Sequence, residues 1–151
     1  MTLASNPSGG QFDGQLHRYG VRVYFEDTDA GGVVYHANYL RWFERARSDI
    51  LRLLGIDQAA AMLAGEGTYV VAEAQLRYLS PARLGDVVTI ETLCQSARSA
   101  SVRLRQYAQR NDERLVEAHI RVGFVGPDGR PRRQPEAWRA AFASLVSETE
   151  G

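Results

Sequence analysis

The run V-R-V-Y-F-E-D-T-D-A-G-G-V-V-Y-H-A-N-Y-L-R-W-F-E-R-A-R-S-D-I-L-R-L-L-G, residues 21–55, constrains the fold more than any other stretch of the chain. It begins within a two-residue alternation, breaks at an acidic loop with paired glycines, and continues at helical spacing. From His17 onward, Tyr19, Val21, Val23 and Phe25 alternate with Arg18, Arg22 and Tyr24, the pattern of a half-buried strand. Over residues 36–54, Tyr39, Trp42, Phe43, Ala46, Ile50 and Leu53 recur at helical spacing, and Leu40, Leu51 and Leu54 widen the stripe. Arg45 and Asp49 are spaced for an i,i+4 pair on the polar side. Gly55 is placed to stop the helix. So broad an apolar stripe predicts a helix cupped by a sheet rather than lying loosely on one.

The remainder of the chain supplies that sheet. Residues 69–79 alternate with Val70, Ala72, Ala74, Leu76 and Tyr78 on one face, after a short Ala-rich helical stretch over 57–67. Strands are predicted at 87–95 and 99–109, the second with Val102, Leu104, Gln106 and Ala108 set against Arg103, Arg105 and Tyr107. The last, 115–125, carries Val116, Ala118, Ile120, Val122 and Phe124 on one side. Gly126-Pro127-Asp128-Gly129 is a turn, and Pro135 opens a C-terminal amphipathic helix with Trp138, Phe142 and Leu145. Sequential strands with short connections imply an antiparallel sheet. A helix covering one face of it makes the chain α+β. Residues 1–15, small and polar, are expected to be a flexible tail, and residues 16–148 a single domain.

Charge and cysteine content exclude several classes of function. The formal net charge is zero, so no global field draws in nucleic acid or an anionic membrane. All eighteen basic residues are Arg. The lone Cys94 cannot close an internal disulfide, and its place inside a strand pattern makes it a small core residue. No apolar run is long enough to span a bilayer, and the first residues have neither the basic start nor the hydrophobic segment of a secretory signal. These features predict a cytoplasmic protein.

The loop E-D-T-D-A-G-G offers Glu26, Asp27 and Asp29 within four residues. Asp, Thr and Gly together can be no more than a solvated turn, since carboxylates favour helix N-termini. A strand followed by D-x-D also opens phosphoryl-transfer enzymes, but those require a later Lys and a parallel sheet, and this chain has no Lys. The third reading is acyl transfer. Paired glycines let backbone approach a ligand closely, and the following helix start supplies N–H donors for a developing oxyanion. A carboxylate beside them can act as general base or attack the acyl carbon itself. Asp29 is the carboxylate nearest the glycines. Glu44 fits a surface position or one supporting the site from behind, His119 an exposed or interfacial one, while Arg98, Arg103 and Arg105 suit either phosphate contacts or a solvated sheet face.

The run E-D-T-D-A-G-G-V-V-Y-H-A-N-Y-L-R-W-F-E-R-A-R resembles the signature of the 4-hydroxybenzoyl-CoA thioesterase class of hotdog-fold proteins. Within that class it is most similar to the acyl-CoA thioesterases encoded beside the Tol-Pal cell-envelope system, the YbgC family. The similarity covers residues 21–126, including Y-V-V-A-E-A-Q-L-R-Y-L-S-P-A-R-L-G-D. The resemblance implies an antiparallel sheet of about five strands wrapped around a long central helix, assembled as a homodimer or homotetramer. It implies hydrolysis of acyl-CoA thioesters, with acyl carrier protein as a second carrier and without metal or cofactor. It makes Asp29 the catalytic carboxylate and the His36 N–H the group that polarises the thioester carbonyl. Gly32, Val33 and Tyr35 then shape the approach, while Tyr69, Val70 and Val71 line a partner subunit's acyl pocket. A hydratase of the same fold pairs Asp with His at a shorter spacing than Asp29 and His36 show. The rival from another class is a non-catalytic acyl-thioester or carrier-protein adaptor, which would have no need of Asp29.

Overall fold

The computed structural model describes residues 9–146. Positions 1–8 of the expected tail and the last two of the expected domain lie outside them. The chain forms β1 (Gln11–Asp13), β2 (Leu16–Arg22), α1 (Asn38–Leu53), α2 (Gln58–Leu63), β3 (Thr68–Tyr78), β4 (Val87–Ala97), β5 (Ser101–Arg110), β6 (Glu113–Val125) and α3 (Glu136–Ala143). All six strands join one antiparallel sheet in the order β1-β2-β4-β5-β6-β3. β3, the first strand after the helices, pairs with the last strand and stands at the sheet edge. Among the described residues no helix is long and apolar enough to cross a membrane.

The face of α1 that the sequence marks as apolar is the one the core takes. Tyr39, Trp42, Phe43, Ala46 and Ile50 are buried in one cluster with Val88, Ile90, Val102, Leu104, Val116, Ile120 and Val122 of the sheet. The stripe is narrower than expected, because Leu40 and Leu53 stay largely exposed. Gly55 ends the helix as expected. At φ +75° it lets its own N–H reach the Arg52 carbonyl and the Ile56 N–H reach Leu51, satisfying two terminal acceptors.

Three features depart from the sequence pattern. Residues 9–15, expected in the tail, instead carry β1, which pairs with β2 through Gln11↔Arg18 and Phe12↔His17. The composition there is polar, but the Phe12 ring packs on the core and the Gly10 N–H donates to Asp49 Oδ2 at 2.9 Å. Phe25 does not continue the inward face of the first strand. The chain turns into a single 3-10 turn at Phe25–Asp27, leaving Phe25 81% exposed. Asp49 is not paired with Arg45 on a wet face. It is buried, with His17 Nε2 2.7 Å from Oδ2 and Arg52 Nη2 donating to Oδ1 at 2.8 Å.

β3 explains itself less well from one chain. Val70 and Tyr78 on its expected inner face are exposed, as is Val71 on the other, while Leu76 packs against the core. β6, its neighbour, buries every residue predicted to face inward. Gly67 leads into β3 at φ +136°, where a Cβ would run into the Val125 carbonyl oxygen and the Phe124 ring. Gly67→Ala should therefore destabilise the fold by about 1–3 kcal/mol. A thermal midpoint unchanged from wild type would show that this close approach is not constraining.

Candidate active site

The acidic loop is a compact turn tied to the rest of the fold by backbone hydrogen bonds. The Asp29 N–H donates to the Val33 carbonyl at 2.8 Å and the Gly32 N–H to the Asp29 carbonyl at 3.1 Å. Gly32 sits at φ +80°, a conformation that a side chain would strain. On either side, Thr28 bridges Val34 and Val33 bridges Arg83, while the Val34 N–H reaches the Ala82 carbonyl. The Tyr35 N–H and the Asn38 side-chain amide both donate to the Asp27 carbonyl, at 2.9 and 2.8 Å. Asp27 also turns its carboxylate back on the Tyr24 N–H at 2.8 Å. Asp27 is thus spent on holding the turn, and Asp29 is left at its tip.

Asp29 is exposed, with Oδ1 accepting the Gly31 N–H at 2.8 Å. Its second oxygen takes no hydrogen bond from the described residues. The same holds for the His36 N–H, which stands just before α1 with no acceptor among the described residues. The His36 carbonyl is held by the Tyr78 hydroxyl at 3.1 Å, and its ring packs against Tyr35 and Tyr78. A hollow of about 270 Å³ opens here, lined by Val34, His36, Tyr39, Tyr78, Leu79, Ser80 and Pro81. Asp29 flanks it through the Thr28–Val34 bridge without lining it.

The expected site residues thus fall into two groups. Asp29, Gly32, Val33, Tyr35 and His36 share one loop. Tyr69, Val70 and Val71 lie at the opposite end of β3 from Tyr78, on the wall of a separate 210 Å³ cavity between α1, β3 and α3. Seven or more residues of strand at about 3.3 Å each separate the two groups within a chain. Tyr69 has a structural task of its own. Its hydroxyl donates to Gln134 at 2.6 Å, and its ring joins Phe124, Trp138 and Phe142.

Tyr78 went unmarked as a site residue by the sequence, although it is the side chain that grips the loop. Its only signal there is a large aromatic immediately before the Leu79-Ser80-Pro81 turn. Cys94 is buried, and burial pushes its thiol up to about 12, so it offers no thiolate at neutral pH. Among the described residues no three His, Cys, Asp or Glu side chains converge as metal ligands would.

Residues 31–117, more than half of the chain, match the family described as the thioesterase superfamily. The chain belongs to that superfamily. Within it, the acyl-CoA thioester hydrolase YbgC of Escherichia coli O157:H7 is 42% identical over 129 residues, 84% of this chain and 96% of that protein. The acyl-CoA thioesterase YbgC of Haemophilus influenzae is 39% identical over 126 residues, 83% of this chain and 93% of that one. Among solved structures, a probable thioesterase from Bartonella henselae shares the fold at a TM-score of 0.75 and 34% identity, covering 80% of this chain and 99% of that chain. The superfamily match begins inside the acidic loop and takes in α1, β3, β4 and β5, the elements that position it.

Proposed function

We propose that this thioesterase-superfamily protein hydrolyses acyl-CoA thioesters to the free acid and CoA, with Asp29 and the His36 N–H as its catalytic groups. The observation that carries this reading is one loop that presents both a carboxylate oxygen and a helix-entry amide that make no hydrogen bond among the described residues. The family relationship to acyl-CoA thioester hydrolases supports it. Asp29 takes a proton from water as the water oxygen bonds to the acyl carbon. The carbonyl oxygen becomes an oxyanion that accepts the His36 N–H. The C–S bond then breaks and the proton passes to the departing thiolate. In the alternative chemistry Asp29 attacks the carbon itself and water opens the resulting anhydride. Single turnover in ¹⁸O-water separates the two, since only the second places label in Asp29.

The working unit in this reading is a homodimer or a pair of homodimers. The sheet has two edges, and they are not alike. β1 is three residues long and ends in Asp13, whereas β3 is eleven residues long with Val70 and Val71 exposed. A long unpaired edge strand that exposes two adjacent valines calls for a partner strand. Antiparallel pairing of β3 with its copy lays Tyr69, Val70 and Val71 of one subunit toward the partner's Tyr78 end. That is the end where the His36 loop sits, so the two groups of site residues meet across subunits. The carrier in this reading is CoA, with acyl carrier protein as the second candidate. A reducing cytoplasmic compartment suits the single buried thiol of Cys94.

The decisive experiment is free-thiol release from a panel of acyl-CoA and acyl-carrier-protein esters by the purified protein. Turnover of at least one ester is expected. Saturable binding with no thiol release across the panel would overturn the hydrolase reading in favour of a binding adaptor.

A further inference from the structure

The cavity beside Tyr69, Val70 and Val71 is walled mostly by apolar side chains, with Ile50, Leu104, Val122 and Phe142 among them. Its polar components come from α1: Glu44, Arg47 and Ser48. Arg47 is the unusual one. Its guanidinium is partly buried, and Nη1 donates to Gln106 Oε1 at 2.8 Å. Gln106 is itself fully buried and cannot turn its amide over. Its Nε2 donates to the Phe43 carbonyl and to Thr92 Oγ1, each at 3.0 Å. A buried relay therefore fixes where Arg47 stands.

No carboxylate lies within ion-pair distance of Arg47 among the described residues. Every other Arg of the helix or sheet that is fixed by side-chain ion pairing, such as Arg18, Arg52 or Arg110, has an acid beside it. Burial pulls the Arg47 guanidinium below its usual value, with only the more distant Glu44 acting the other way. Glu44 is exposed and keeps its water, so the charge that has lost solvent in this cavity is the positive one. One of five N–H donors is used, and four remain. A partly desolvated cation held by a neutral amide is short of an anion.

We propose that this cavity receives the far end of the acyl group and that Arg47 selects acyl chains terminating in a carboxylate. The proposal rests on the hydrolase reading and on the β3 pairing that brings one subunit's cavity to the partner's loop. The chemistry follows from planar, forked donors meeting a planar acceptor. A cavity of about 210 Å³ suits a short acyl chain rather than a long one.

The test compares hexanoyl-CoA with adipyl-CoA, which have six acyl carbons each and differ in a terminal methyl or carboxylate. Wild type should favour adipyl-CoA in kcat/KM by about 10-fold or more. Arg47→Met should lower the adipyl-to-hexanoyl ratio by about 10- to 100-fold, and Arg47→Lys should restore part of it. A wild-type preference for hexanoyl-CoA, or a ratio indifferent to Arg47→Met, overturns the proposal. Should Arg47→Met fail to fold, the wild-type preference and the Arg47→Lys ratio decide. If neither ester releases thiol, the full panel of acyl-CoA and acyl-carrier-protein esters decides the hydrolase reading. Equilibrium binding of the same two esters then judges Arg47, and equal affinities reject its role.

Discussion

Asp29→Asn should lower turnover of the best acyl-CoA substrate by about 10²–10⁴-fold, the range expected when a positioned proton acceptor or nucleophile is removed. The substitution keeps the side chain's shape and one oxygen, so the Gly31 N–H retains an acceptor and the turn retains its geometry. Thermal stability should stay near wild type, because an exposed residue at a turn tip contributes little to packing. Substrate binding should survive, since the proposed reading gives the acyl chain to the cavity beside Tyr69, Val70 and Val71 rather than to Asp29. This separation makes the result informative: lost turnover with intact folding and binding is the signature of a group acting on the reacting carbon. A variant that hydrolyses at near wild-type rates would remove Asp29 from the mechanism.

Asp49→Ala is expected to cost about 1–3 kcal/mol of folding stability, the penalty for leaving buried hydrogen-bonding groups without their partner, since Arg52 stays in contact with solvent. Asp49 collects the Gly10 N–H, His17 Nε2 and Arg52 Nη2 on its two oxygens, joining β1, β2 and α1 at one point. Without it, His17 is left fully buried with both ring nitrogens unpartnered, since Nδ1 already makes no hydrogen bond. The same network sets a pH dependence. Burial alone would raise the Asp49 carboxyl, but donors from Arg52, His17 and Gly10 outweigh it and hold it below the usual carboxylate range. Burial lowers His17, and the hydrogen bond and charge of Asp49 offset this only in part.

Both groups therefore bind protons more readily in the unfolded chain than in the folded one. Stability must then rise with pH across each window. The His17 contribution is complete above the free imidazole value of 6.5 and is lost as pH falls below it. The Asp49 contribution is complete above the free carboxylate value of 3.8 and is lost at still lower pH. Denaturant midpoints measured from pH 8 down to pH 5 should fall, and Asp49→Ala should change the slope of that fall. A flat wild-type profile would contradict the network.

The long helix and five of the six strands were readable because their apolar periodicities are long and uninterrupted. Trp42, Phe43 and Ala46 on α1, and Val116 through Phe124 on β6, are where the pattern placed them. The acidic loop stood out for a different reason, since acids and paired glycines before a helix are chemically unusual in their own right. β1 was hidden because a three-residue strand leaves no periodicity, and its anchors are one ring and one backbone amide. Asp49 read as a surface charge because helix spacing allowed a local partner in Arg45. The actual partner, His17, lies thirty-two residues away on a neighbouring strand. Gln106 sat correctly on the inward face, but nothing in its spacing announced that it would brace Arg47. In each case the missing information is a contact between elements, which one-dimensional pattern does not contain.

The exposed edge of β3 has a consequence for how catalysis scales. If a whole active centre exists only where two copies meet, specific activity is not a constant of the chain. Diluted far enough for protomers to separate, the protein should keep its fold and fall silent, then recover on concentration without any refolding step. Mixed populations would add a second signature. Protomers lacking Asp29 but intact at Val70 and Val71 could lend their edge to protomers damaged there, so that two individually dead preparations revive each other.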